Sequence, residues 1–427
     1  MNAPAWAWCG ARRLPIARAD RFEPPAAAAP LADLDLAVRA ALAAPVGAAR
    51  LRELARGARS VVVTIPDASR PCPSEPVLLA LLDELAAAGV RDDAVAVAIG
   101  CGLHATTGEA ERARLAGPQV VRRVEVFDAQ GIETETADLG ETSLGAPARI
   151  ARRVAEADLV VTAGVVEPHL YAGFSGGVKG VAIGCAGRET IAWTHRPAFI
   201  SRPGVRVARL RENPFQATLR EVAARTPLGW GVNLVMEEGD AVAVRAGDPA
   251  SVQEALARDA APGWLRTTAE QYDVVVAGVH APKSDGLYQA SRAATYLGLA
   301  ARPALADGGL LVLCADLPLG AGDGPGERNF LEVLAAAASP AELLERGLRE
   351  PLGPGGQRAY VVARVLERHR LAVVGADDAR FLEPLAHLGV AAFASVDAAL
   401  AAEDERLARR ASVLVVADAM TTLVTAG

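Results

Sequence analysis

The sequence predicts an α/β fold of two domains with mostly parallel sheets, and three observations carry that prediction. Seven short apolar runs are unbroken, the pattern of strands buried on both faces. Alanine- and leucine-rich stretches with helical character lie between them, and strands alternating with helices argue for parallel sheets. The polar residues able to do chemistry follow those runs at their carboxyl ends, where open α/β sheets place ligands.

The runs are SVVVTIPD (60–67), AVAVAIG (94–100), ADLVVTAGVV (157–166), YDVVVAGVH (272–280), GGLLVLCAD (308–316), HRLAVVGA (369–376) and ASVLVVAD (411–418). PSEPVLLALLDELAAAG (73–89) and FLEVLAAAASPAELLERGL (330–348) each read as helix. WAWCGARRLPIARA near the start reads as a small edge hairpin. A helix near 249–260 with a Pro-Gly exit divides the strand series. The expected domains are therefore 1–262 and 263–427, with an active-site cleft between them, since small ligands favour domain clefts.

The bulk numbers exclude several classes. A chain of 427 residues, 51% hydrophobic and 22% charged, is long enough for two or three full cores. A net charge of −7 leaves no basic footprint for nucleic acid. Five cysteines without a CxxC pair argue against a disulfide framework and against a thiolate zinc site. MNAPAWAWCGARRLPIARAD lacks an unbroken apolar segment and fails as a signal peptide. No apolar run reaches membrane-spanning length. The expectation is a soluble cytoplasmic protein.

Four strand ends deliver the candidates. DASRPCP brings Asp67 and Arg70, and CGLHATTGEAE brings His104. EPHLYAGFSGGVK brings His169 and Lys179, and HAPKSDGLYQASR brings His280, Lys283, Gln289 and Arg292. Taken singly, each has a structural reading. Arg70 could pair with Asp67 on the surface, or grip a carboxylate as a planar fork. His104 could cap a helix starting near Thr106, or act as a base. GFSGG could be a tight turn, or a cradle bringing backbone N–H groups to a phosphate. Its spacing fits neither the Walker A loop nor GxGxxG. His195 ends the helical ETIAWTH before Pro197. As a metal ligand it is a single imidazole, so a metal here would need ligands from elsewhere.

Together, IPDASRPCP, AIGCGLHATTGEAE, EPHLYAGF, SGGVK, GCAGRETIAWTH, HAPKSDGLYQASRA and PGGQRAYVVARVLE resemble the nickel-pincer lactate racemase family and its 2-hydroxyacid racemase and epimerase homologues. The likeness runs over roughly residues 58 to 370 with the motif order intact. It implies a nickel pincer nucleotide, a pyridinium mononucleotide with two sulfur-containing arms, attachable to Lys179. His195 would be the one protein ligand to the metal. Gly173, Ser175, Gly176 and Gly177 would hold the nucleotide. His104 and His169 match the catalytic histidines, Arg70 the carboxylate binder with Asp67 orienting it, and Gln289 a pocket residue. The implied partners are a small 2-hydroxy acid and the proteins that make and load the cofactor.

Three positions depart from the family. Arg292 stands where the lactate enzymes carry lysine, Gln357-Arg358 stands near a family tryptophan, and Phe127 replaces a histidine. Extra guanidinium groups suit a second carboxylate or several hydroxyls. With Lys283 also counted as substrate-binding, the expected substrate is more polar than lactate, such as a dicarboxylate or sugar acid. The implied chemistry is coherent. Taking the C2 hydrogen as a proton would build a second negative charge beside the carboxylate, and taking it as hydride avoids this. Two histidines then serve the two faces of the carbon. The competing readings are a dehydrogenase or lyase using the same cofactor or a nicotinamide, and a nucleotide binder without turnover.

Overall fold

All seven apolar runs are strands in the computed structural model, which describes residues 5–25, 28–130 and 135–427. The fold is α/β with mostly parallel sheets. The chain forms two units. One comprises Ala27–His195 with Phe199–Ala261, and the other comprises Met1–Ala26, Arg196–Ala198 and Pro262–Gly427.

The first unit is built on a six-stranded sheet. Its order is Asp240–Gly247, Leu228–Glu237, Leu159–Val165, Val61–Pro66, Val95–Gly102 and Glu125–Gln130. Only the edge strand Asp240–Gly247 runs antiparallel to its neighbour. Val63 pairs with Val97 on one side and Val161 on the other, and all three are fully buried. The core continues through Leu78, Leu81, Leu85 and Trp230. The helix Ser74–Ala87 supplies the first three, as its leucine spacing requires.

The second unit holds an eight-stranded sheet around Tyr272–His280. Leu305–Cys314, Arg370–Val374 and Val390–Phe393 extend it in parallel on one side. Val413–Val416 pairs along the other side. The first residues, expected with the N-terminal domain, join this sheet instead. Ala5–Gly10 pairs in parallel with the end of Tyr272–His280 and folds back on Arg12–Ile16 as an edge hairpin. Burial explains the placement, because Ala7 and Cys9 are fully buried among Val274, Val276 and Val312.

Two helical expectations are also corrected. Pro249–Trp264 continues past the expected Pro-Gly exit, with Pro262 inside its last turn. The 330–348 stretch is not one helix. Pro325–Ala335 and Pro340–Arg349 are separated by residues 336–339, and the Ser339 side chain caps the second by accepting from Glu342 N at 3.1 Å. Among the described residues no helix is long and apolar enough to cross a membrane.

Ile65 is 2% exposed in the strand that precedes Asp67, whereas Leu36 is 65% exposed. Urea unfolding should show Ile65→Ala losing about 2–5 kcal/mol. Leu36→Ala should stay within about 0.5 kcal/mol.

Candidate active site

Three adjacent strands of the first sheet end on the same edge, and each carries a candidate just beyond its end. Val61–Pro66 leads to Asp67 and Arg70, Val95–Gly102 to His104, and Leu159–Val165 to Glu167 and His169. His104 Nδ1 lies 2.5 Å from Asp67 Oδ2, and Ser69 donates to Asp67 Oδ1 from its amide at 3.1 Å and its hydroxyl at 2.5 Å. Burial pushes the Asp67 carboxyl upward. The hydrogen bond and charge of His104, with the Ser69 bonds, outweigh this and hold it below its usual value. The Asp67 hydrogen bond in turn raises the His104 pKa, against burial and the positive charges of Arg70 and Lys179. The His104 side chain remains 63% exposed. It caps no helix, since the next helix is Glu109–Ala116.

The Asp67 carboxylate serves Ser69 and His104, and Arg70 is ion-paired with Glu167. The two side chains of that pair are 16% and 14% exposed. Glu167 therefore orients the guanidinium. Its signal was present in the sequence as a carboxylate at a strand end, next to the candidate histidine.

His169 sits in the two-residue strand Pro168–His169, paired with Gly173–Phe174. Its Nδ1 accepts from the amides of Tyr171 at 3.3 Å and Ala172 at 3.2 Å. The Tyr171 ring meets His169 and His195 edge-on, with centroids at 5.9 and 5.6 Å. His195 ends the helix Arg188–His195 and packs against Phe215 at 5.4 Å. Its Nδ1 is 2.9 Å from the Ile191 carbonyl. A carbonyl only accepts, so Nδ1 carries the proton and Nε2 keeps its lone pair. That is the proton arrangement of a metal-ligating histidine.

Two amides of the glycine-rich loop are bonded within the protein. The amide of Ser175 donates to Glu167 O at 2.9 Å, and that of Gly177 donates to Asn233 Oδ1 at 2.8 Å. The loop carbonyls of Phe174, Ser175 and Gly176 accept from the fully buried Gln253 at 3.2, 2.9 and 3.3 Å. Gln216 donates to the Gln253 carbonyl at 2.9 Å. Gly176 and Gly177 have φ of 75° and 55°, and a Cβ on either would press into Val166 or Gln253. The loop is thus a clamped turn that aims Lys179. Lys179–Ala182 then lies directly on the sheet, because Gly180 and Gly184 leave room for Thr162 and Gly100. Asn233, Gln216 and Gln253 lie far from the loop in sequence, and no local pattern announces them.

Among the described residues no group of three His, Cys, Asp or Glu side chains could hold a metal. All five cysteines are free, and burial raises Cys72 to about 11 and Cys185 to about 12, so neither is a thiolate near neutrality. A lone imidazole protonated at Nδ1 fits a metal that arrives with donors of its own. Phe127 lies under the Arg153 guanidinium at 4.1 Å, a packing contact.

The remaining candidates belong to the second unit. Arg292 is 7% exposed and donates to Tyr296 Oη at 2.8 Å. Arg358 lies over the Tyr288 ring at 5.4 Å, and its buried Nε and Nη1 have no hydrogen-bond partner among the described residues. Lys283 follows the strand Tyr272–His280, and Gln289 lies in the first turn of Leu287–Gly298. His280 is engaged by Asp418 at 3.0 Å.

The sequence pattern of the lactate racemase N-terminal domain matches residues 13–207. A lactate racemase of Lactiplantibacillus plantarum is 28% identical over 339 residues, 77% of each chain. That of Thermoanaerobacterium thermosaccharolyticum is 28% identical over 343 residues, 79% of this chain and 78% of the relative. The solved lactate racemase apoprotein from T. thermosaccharolyticum has the same fold, with a TM-score of 0.88 at 23% identity, over 99% of this chain and 100% of that one. A Thermotoga maritima protein is more distant, at TM-score 0.66 and 15% identity over 92% and 98%.

Replacing Asp67 by Asn should make His104 give up its proton at lower pH, read by NMR titration of the imidazole. The sign for stability follows. The raised histidine pKa contributes stability that is full below the unfolded value near ~6.5 and lost as pH rises through the folded value. The lowered Asp67 pKa contributes above ~3.9 and is lost in acid. The stability advantage over Asp67→Asn should therefore be greatest between about pH 4 and 6.5 and shrink as pH rises through the raised histidine value. Gln253→Met leaves buried loop carbonyls without their donor and should lose about 1–3 kcal/mol in thermal or urea unfolding.

Proposed function

Starting from a chain that is a homologue of the lactate racemases, we propose that it is an isomerase that racemises or epimerises a 2-hydroxy acid with a nickel pincer nucleotide. The observation that carries this reading is the grouping of His104, His169 and the Arg70–Glu167 pair at three neighbouring strand ends of one sheet, in the unit that also holds Lys179 and His195.

In this reading Lys179 anchors the nucleotide and His195 Nε2 ligates the nickel. When bound, the group supplies a reversible acceptor for the C2 hydride. Arg70, held by Glu167, grips the substrate carboxylate and fixes C2. One imidazole receives the hydroxyl proton as the carbonyl of a 2-keto acid forms, and the other returns a proton after the keto acid presents its second face. The guanidinium departures at Arg292 and Arg358 suit a substrate more polar than lactate.

The test is expression with the cofactor-synthesis proteins, followed by chiral analysis with lactate, malate and aldonic acids. A mass adduct on Lys179 with bound nickel is expected. Substrate deuterated at C2 should retain its label after inversion in ordinary water, since hydride does not exchange with solvent. His104→Ala and His169→Ala should each lose at least ~10²-fold in turnover while keeping the adduct. Washed-out label would overturn hydride transfer. Release of free keto acid would favour a dehydrogenase, and a loaded protein without turnover would favour a binder.

A further inference from the structure

The two candidate acid–base histidines are held in opposite proton arrangements. His104 faces a carboxylate, which only accepts, so its Nδ1 carries a proton and the neutral ring keeps its lone pair on Nε2. His169 faces two backbone amides, which only donate, so its Nδ1 must accept and its proton sits on Nε2. The contrast extends across the molecule. His195, His280, His369 and His387 also direct a ring nitrogen at a carbonyl or carboxylate, and so donate from it. Of the six histidines, His169 is the one whose described ring-nitrogen bonds come from amides.

The amide contacts are built in locally. Pro168–His169 pairs with Gly173–Phe174, and Gly173, at φ 80°, turns the chain so closely that a Cβ would collide with Arg209. The amides of Tyr171 and Ala172 are carried on this short connection beneath the ring. Asn213 holds the same segment by donating to Tyr171 O at 2.8 Å.

We infer that the resting protein has one base and one hydrogen-bond donor: His104 receives the substrate hydroxyl proton on Nε2, and His169 offers Nε2–H to a substrate oxygen. The inference rests on the hydroxy-acid reading above and assigns the roles within it. In the first half-turnover the O–H bond breaks. Its electron pair becomes the second C–O bond, its proton goes to His104 Nε2, and the C2 hydride would leave to the acceptor that the bound group would supply. His169 keeps its proton and stabilises the forming carbonyl. It can take up or return a proton only after its ring leaves the Tyr171 and Ala172 amides, because the neutral ring holds a single proton and a second one on Nδ1 would face two donors. One enantiomer is therefore oxidised directly, and the other only after that rearrangement.

The first experiment is two-bond ¹⁵N–¹H correlation on the full chain labelled at histidine, with and without cofactor, assigned by single His→Gln variants. His104 should show a protonated Nδ1 and His169 a protonated Nε2. A His169 with a protonated Nδ1 overturns the inference, and this readout does not depend on turnover. The second is single-turnover keto-acid formation from each enantiomer. His169→Gln retains an N–H donor and should keep oxidation of one enantiomer within about tenfold, where His169→Phe loses far more. His104→Gln should be as inactive as His104→Phe. Equal loss in both His169 variants with both enantiomers would overturn the inference while leaving racemisation by the unaltered protein intact. Absence of any hydroxy-acid turnover would instead sink the underlying reading, and the tautomers would stand on their own.

Discussion

The in-register parallel pairing of Val61–Pro66 with Val95–Gly102 on one side and Leu159–Val165 on the other is the constraint on which the candidate site depends. Side chains separated by a hundred residues of sequence reach one edge because Val63 is locked between Val97 and Val161. A shift of one residue in any of the three would exchange the two faces on which its side chains pack, although both are buried. It would also carry His104 or His169 away from Asp67 and Arg70. The apolar runs thus secure the geometry of the polar residues that follow them.

Around that edge, the polar groups are organised by what each partner is able to do in a hydrogen bond. A carboxylate sets His104, two amides set His169 and a carbonyl sets His195. Three imidazoles of the same composition thereby acquire two proton arrangements, with Nδ1 protonated in His104 and His195 and Nε2 protonated in His169. The arginine is treated likewise, its fork fixed by Glu167 before any substrate arrives. Preorganisation of this kind is where binding sites gain most, since the ordering is already done when the ligand enters.

The glycine-rich loop has a packing reason for its glycines, whatever ligand it meets. Here the amides of Ser175 and Gly177 are already bonded to Glu167 and Asn233, and Gln253 spans the carbonyls. The glycines are needed for positive φ and for close approach of Lys179–Ala182 to the sheet. The motif positions a lysine and a histidine through buried amide side chains that come from elsewhere in the chain.

By itself the sequence determined the strands, the α/β class and the chemical identity of most of the candidate residues. Unbroken apolar runs have one stable environment, and reactive side chains beyond a strand end are visible as letters. The tertiary structure alone decided which partner each side chain obtained. Asp67 went to His104, Glu167 to Arg70 and Gln253 to the loop. The first strand went to the distant sheet, because Cys9 found its burial beside Val374 and Gly375. The physical reason is common to all four. Hydrophobic pattern is a local property with a fixed period. The partner of a buried polar group or an edge strand is set by what the fold brings within about 3 Å, and no local spacing records it.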